Sequence, residues 1–225
     1  ESAEREVSLN GGRAVAAALD RKGVDVTVFD GALALFDAIG EGRIDRVFNL
    51  IHGPGGEDGS LQGALQLMKV PVTGSDLPSS ALTMDKVRSK WVWERNGLLT
   101  PPFEAFNRAE EDFGRALDTL EMPFFVKPNG LGSSIGISKV RTPADLPAAV
   151  ELARRYSDTV LVEQEIRGRE FFAGIIGRLP LPLIRIETPR EFYDYEAKYE
   201  SDDTRYHCPC GLETELEERL QAMSL

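Results

Sequence analysis

The run Lys127-Pro128-Asn129-Gly130-Leu131-Gly132-Ser133-Ser134-Ile135-Gly136 carries the chemistry needed to hold a phosphate. Glycines let backbone amides close on a ligand, and successive amides form a nest for an anion. Ser133 and Ser134 add hydroxyl donors, and Lys127 adds a positive charge ahead of the loop. The run is not a Walker A loop, because the lysine precedes the glycines. Nor is it a dinucleotide fingerprint, since Gly136 comes one place too late. The plain alternative is a flexible hairpin between two strands, which needs fewer glycines and no serine pair. Lys86, early in a helix, is a second cation. Alone it reads as a solvated side chain; with Lys127 it could clamp a triphosphate from two sides.

Three further stretches are candidates. Glu163 ends a strand and is followed by Gln164, Glu165, Ile166 and Glu170, which suits the edge and ribose of a nucleotide or, equally, a surface loop. His52 opens a glycine-rich segment containing Glu57 and Asp58, placed after an apolar strand where ligands of open α/β sheets sit. A turn with a satisfied histidine is the alternative there. Phe192-Tyr193-Asp194-Tyr195-Glu196-Ala197-Lys198-Tyr199 fits no period and reads as a lid over a polar site or a surface loop with packed tyrosines.

The elements that must position these residues follow from periodicity. Ser2 or Ser8 caps a helix to about residue 21, with Gly23 as its stop. Residues 24–29 alternate as a strand, 33–39 form a short helix, 47–51 a buried parallel strand and 61–68 a helix. Residues 71–74 form a short strand and turn, and 79–96 one longer helix. The pattern changes after Pro101-Pro102. Strands are expected at 124–127, 137–140 and 160–163, with a helix over 143–156 between the last two. Antiparallel strands at 171–176 and 183–186 open a third unit, and a helix starts at 216. The fold class is α/β, α+β in parts.

The 225 residues carry 26 basic and 37 acidic side chains, a net charge of −11. An acidic surface argues against a general nucleic-acid partner but leaves room for a local phosphate pocket. At 42% hydrophobic and 28% charged residues the balance is that of a folded globular chain. No apolar run approaches the ~20 residues of a membrane span, and the opening residues carry no signal-peptide core. Cys208 and Cys210 cannot build a disulfide framework. His207 beside them hints at a metal, but a closed site needs about four ligands and His52 is the other histidine. Free thiols in a reducing cytoplasm are the simpler reading.

Taken together, these motifs resemble the D-alanine–D-alanine ligase family of the ATP-grasp fold. The resemblance rests on 2–8, the His52 segment, Ser80 to Lys86, Val126-Lys127-Pro128 with Gly132 to Gly136, and 192–199, in order and along essentially the whole chain. It implies an ATP-grasp architecture: a Rossmann-like layered N-terminal domain (1–85), a central grasp domain (86–163) and a partial C-terminal grasp domain with the lid (164–225). It implies ATP and Mg²⁺ (or Mn²⁺) as cofactors, and D-alanyl phosphate as intermediate on the way to the dipeptide for peptidoglycan. Lys86, Lys127 and Lys198 would meet the phosphates, with Gly132, Ser133 and Ser134 closing over them. Glu163, Gln164, Ile166 and Glu170 would meet adenine and ribose. Glu4, Ser133 and Tyr199 match a hydrogen-bonded triad, Glu4 orients the first alanine's ammonium, and His52 lies close to it. Tyr199 favours the dipeptide over a D-lactate ester. A cytoplasmic homodimer without nucleic-acid or membrane partners is implied. The family's first strand would precede Glu1 and its metal ligands would follow Leu225. The segment alone is therefore expected not to turn over. Another ATP-grasp carboxylate–amine ligase, or an inactive nucleotide-binding module, are the competing readings.

Overall fold

A computed structural model describes residues 4–225, so Ser2 and its expected capping role lie outside the described residues. Helix α1 (Arg5–Asp20) starts after Glu4 and stops at Gly23, whose φ of 76° suits a residue without Cβ. Ser8 is not its cap. It sits one turn inside, its hydroxyl donating back to Glu4 O at 3.2 Å.

Helices α2 (Ala32–Gly40) and α3 (Ser60–Leu67) form as expected. They bury Leu35, Leu61 and Leu65 with Val47, and Phe29, Phe36, Ile51 and Val72 pack around them. None of the three strands expected here, 24–29, 47–51 and 71–74, forms as a strand among the described residues. Residues 24–29 belong to no sheet among the described residues, and 47–51 contributes a single parallel bridge, Val47 to Val72. Its hydrogen bonds are Val47 N–H to Pro71 O at 2.9 Å and Thr73 N–H to Val47 O at 3.0 Å. The apolar alternation is real, but a strand exists only where a neighbour takes its backbone donors and acceptors.

The helix expected over 79–96 is two helices, α4 (Leu77–Met84) and α5 (Lys86–Arg95). Asp85 between them is extended, with φ −88° and ψ 101°, and its carboxylate accepts the Arg88 N–H at 2.8 Å. An N-cap inside a helical pattern breaks it. The break makes Lys86 the first residue of α5. Asp85→Ala should cost about 1 kcal/mol and lower the melting midpoint by roughly 2–4 °C, read by thermal unfolding. An unchanged midpoint would deny the cap its role.

The central sheet takes β1 (Phe103–Phe106), β2 (Phe124–Pro128), β3 (Ser138–Val140) and β4 (Val160–Gln164) in the order β1-β4-β2-β3, antiparallel throughout. Strand β1 was not expected from the sequence. Helices α6 (Gly114–Thr119) and α7 (Leu146–Arg154), the latter behind a 3-10 turn at 143–145, cover one face. Side chains alternate between faces. Phe106, Phe124, Val126, Val160 and Val162 join Ala149, Val150 and Ala153 in the core. Phe103, Phe125, Lys127, Leu161 and Glu163 therefore share the opposite face.

The last unit pairs β5 (Glu170–Phe172), β8 (Ile184–Glu187) and β9 (Arg205–His207) antiparallel, in the order β5-β8-β9. The strand expected over 171–176 is interrupted: β6 (Ile175–Ile176) and β7 (Leu179–Pro180) form a separate hairpin turning at Gly177, with φ of 64°. Residues 192–199 contain helix α8 (Tyr195–Tyr199), capped by Asp194, which accepts the Ala197 N–H at 2.9 Å. Helix α9 (Thr214–Ser224) ends the described chain. Both cysteines are free thiols, Cys208 exposed and Cys210 buried. Among the described residues no helix is long and apolar enough to cross a membrane.

Candidate active site

The glycine-rich loop joins β2 to β3, so it is a hairpin connection and a cradle at once. Its tip is shaped by positive φ at Ser133 (52°), Ser134 (59°) and Gly136 (71°). Left-handed serines are costly and persist only where neighbours hold them. Here the holders are functional candidates. Ser133 Oγ donates to the Glu4 carboxylate and lies 2.9 Å from the Tyr199 hydroxyl. Ser134 Oγ donates to Tyr193 O at 3.0 Å and accepts from Lys198 Nζ at 2.9 Å. The loop thus joins α1 on one side and the 192–199 segment on the other. Phe125 of β2 and Phe192 meet edge-on at 5.3 Å.

Two glycines leave room for close approaches. A Cβ on Gly132 would stand 3.1 Å from Glu4 Oε1. One on Gly136 would stand 2.7 Å from Tyr156 Cδ2 and 2.8 Å from Pro128 Cγ. Gly136→Ala should therefore destabilise the protein by about 1–3 kcal/mol, since it adds a clash to a left-handed φ. Denaturant unfolding measures this, and a stability equal to the parent's would count against the packing described.

Lys86 is held under the loop. Its Nζ donates to Leu131 O at 2.6 Å and Asn129 O at 3.3 Å. Asn129 also takes the first amides of α5: its O accepts the Lys86 N–H at 3.3 Å and its Oδ1 accepts the Val87 N–H at 2.9 Å. One buried asparagine therefore ties the helix start to the loop. Burial pushes the Lys86 ammonium down to about 8, with the Lys127 charge adding to it and those of Glu4 and Glu163 opposing. Burial lowers Lys198 as well, against the charge of Glu170.

Lys127 does not stand alone at the strand end. It pairs with Glu163, which also receives Lys90 Nζ at 2.5 Å. Burial would raise the Glu163 carboxyl, but the charges and hydrogen bonds of Lys127 and Lys90 outweigh it and hold it below the ordinary range. Gln164 follows on β4 and so faces the other way. Ile166 lies beyond the strand and is 65% exposed. Gln164 and Ile166 share a depression of about 420 Å³ with Glu121, Met122 and Arg167. Glu165, which the sequence placed between them, pairs with Lys139 at 2.5 Å and Arg167 at 3.3 Å. Glu170 opens β5 and is exposed.

His52 docks on α1. Its N–H donates to Ser8 Oγ at 2.9 Å, and Nδ1 lies 3.0 Å from Leu50 O. A carbonyl only accepts, so Nδ1 carries the proton. Ser8 bonds to the Glu4 main-chain carbonyl as well, so one hydroxyl ties the backbones of Glu4 and His52 together. Glu57 and Asp58 are used to fold their own segment. Glu57 accepts the Gly53 N–H at 2.7 Å, and Asp58 accepts the Gly55 N–H at 2.8 Å and the Ser60 N–H at 2.9 Å.

Sequence reasoning missed Lys90, Asn129 and Ser8. Lys90 had one available signal: it follows Lys86 by four residues, the same helix face. Among the described residues no group of three His, Cys, Asp or Glu could hold a metal ion.

Comparison with known proteins shows the family. The family description "D-ala D-ala ligase C-terminus" matches residues 92–225, and "D-ala D-ala ligase N-terminus" matches 34–75. The D-alanine–D-alanine ligase of Methylococcus capsulatus is 49% identical over 224 residues, 100% of this chain and 72% of that protein. That of Azoarcus sp. is 50% identical over 224 residues, 100% of this chain and 73% of its own. The crystal structure of D-alanine–D-alanine ligase from Bacillus anthracis matches with a TM-score of 0.82 at 33% identity, covering 100% of this chain and 73% of that one. The VanG D-Ala:D-Ser ligase of Enterococcus faecalis matches with a TM-score of 0.72 at 36% identity, covering 81% of this chain and 55% of that one. The fold is that of the ATP-grasp class. Within it, the chain belongs to the D-alanine–D-alanine ligase family.

Proposed function

We propose that the protein joins two D-alanine molecules at the expense of ATP, releasing D-alanyl-D-alanine, ADP and phosphate. The observation that carries this is the hydrogen-bonded chain Glu4–Ser133–Tyr199, which closes α1, the glycine loop and the lid around Lys86, Lys127 and Lys198. The relatives' names support the substrate.

A carboxylate is a poor electrophile, so ATP first phosphorylates the carboxylate of one D-alanine. The amine of the second then attacks the acyl phosphate, and phosphate leaves from a tetrahedral intermediate. The three lysines and the loop amides meet the charge that moves from ATP to the acyl phosphate. Glu4 meets the first ammonium, with His52 beside it through Ser8. Lys198, already on Ser134, stands where a lid lysine can follow the transferred phosphate. Closure of loop and lid over bound substrates would keep water from hydrolysing the acyl phosphate. A divalent ion would supply further charge neutralisation between phosphate oxygens. The described residues gather no ligand set for it, so what this chain itself brings is the lysines and amides.

Glu163, Gln164, Ile166 and Glu170 form the adenine and ribose side of this reading. The division into units 1–85, 86–163 and 164–225, a cytoplasmic location and a homodimer complete it. The test is a product assay on the natural protein with ATP and Mg²⁺, offering D-alanine, L-alanine, D-lactate and D-serine as separate arms. D-alanyl-D-alanine as main product is expected. Mixed product with D-serine would favour the specificity in the Enterococcus relative's name, and no amino-acid-dependent ADP release would end the ligase reading.

A further inference from the structure

Lys90 is the most deeply buried lysine near the site, at 3% exposure. An ammonium has three donors. All three are used, on Glu163 Oε2 at 2.5 Å, Thr100 Oγ1 at 2.6 Å and Pro101 O at 3.1 Å. The cation also stands 4.8 Å from the centre of the Phe103 ring. Nothing in this arrangement leaves it a hand for a ligand. Glu163 is 12% exposed at its side chain, and its other oxygen is taken by the more accessible Lys127. Two cations therefore share one largely buried carboxylate, one locked and one at the edge of the site.

We propose that Lys90 is a positioning residue. It is the permanent counter-ion of Glu163, and by holding that carboxylate it lets Lys127 leave the pair and meet a nucleotide phosphate. This rests on the ligase reading above. The physical reason is the cost of an unpaired buried carboxylate. With Lys90 in place, Lys127 exchanges one anionic partner for another and Glu163 stays compensated. Without it, Lys127 is the one remaining ion-pair partner of Glu163 among the described residues and is withheld from the phosphate. The Glu163 side chain is then an anchor for the two lysines at the edge of the adenine and ribose side.

The test is a double-mutant cycle on ADP binding, by calorimetry on the whole natural protein. Lys90→Met keeps the unbranched stem and removes the charge. It should weaken ADP about tenfold in the natural background and less than about twofold beside Glu163→Gln, because a neutral amide no longer retains Lys127. Equal weakening in both backgrounds would overturn the proposal. A measurement on the unaltered protein covers a variant that does not fold: in spectra of ¹⁵N-lysine side chains, ADP should move the Lys127 signal and leave that of Lys90. Movement of both together would overturn it equally. Absence of any ADP binding by the unaltered protein would instead remove the ligase reading, and this inference with it.

Discussion

Lys86→Met is expected to lower kcat/KM for ATP by about a hundred- to a thousandfold, the scale of losing one preorganised charge donor from a site that handles migrating negative charge. Lys86 is the first residue of α5, so its backbone is fixed by the Asp85 cap and by Asn129. Its ammonium lies on the Leu131 and Asn129 carbonyls directly under the loop. Methionine would keep the packing of the stem and remove the charge that the proposed function assigns to the phosphates. The unaltered protein adds an independent check. Burial holds Lys86 down near 8 in the unliganded chain. A bound phosphate favours the charged ammonium and raises that value. Nucleotide affinity should therefore be full below about pH 8 and fall above it, by up to tenfold per unit, until the raised value is passed. The methionine variant should lose this dependence. Equal ADP affinity of the unaltered protein at about pH 7 and 9 would refute the assignment of Lys86 to the phosphates.

Glu4→Gln should cost a comparable factor, about a hundredfold in kcat/KM for the first D-alanine, the scale of one misplaced reacting partner. Glu4 is 1% exposed and accepts from Ser133, which in turn meets Tyr199. The amide keeps the shape but loses the charge that would orient an ammonium. It keeps one oxygen able to accept from Ser133 and turns the other into a donor. The loss should fall mainly on the amino-acid steps, leaving the KM for ATP within about threefold of the parent's. A loss confined to ATP would instead place Glu4 with the nucleotide. Ser133→Ala separates the two duties, because it cuts the link to loop and lid and leaves the carboxylate charge intact.

Much of this site could be read from residue types. Gly132, Ser133 and Gly136 belong to a loop whose composition announces tight backbone, and the structure bears out the reason: positive φ at Gly136 and a Cβ-sized gap beside Glu4 at Gly132. Strand β2 alternates in burial, and β4 was legible as a short apolar run buried at Val160, Leu161 and Val162. What failed was local. Residues 24–29 alternate correctly yet form no strand among the described residues, since pairing depends on a neighbour and not on a pattern. Asp85 was read as one helical position among many, because a cap is recognised by the backbone angle it adopts. The 192–199 segment hid α8, since one capped turn is too short to show a period.

The sequence by itself determined which side chains could do chemistry: three lysines, a serine-bearing glycine loop, a glutamate at each end of the site and a lid tyrosine. Their types and order sufficed for the family, because charge and backbone freedom are properties of single residues. Only the tertiary structure decided who holds whom. Glu4 and Ser133 are 129 positions apart and Ser133 and Tyr199 are 66, and no local pattern encodes such contacts. The same holds for Lys90, which sequence leaves as an ordinary helix lysine and folding turns into the buried partner of Glu163. Burial makes that pair matter: a charge removed from water must find its counter-charge wherever the fold brings one near.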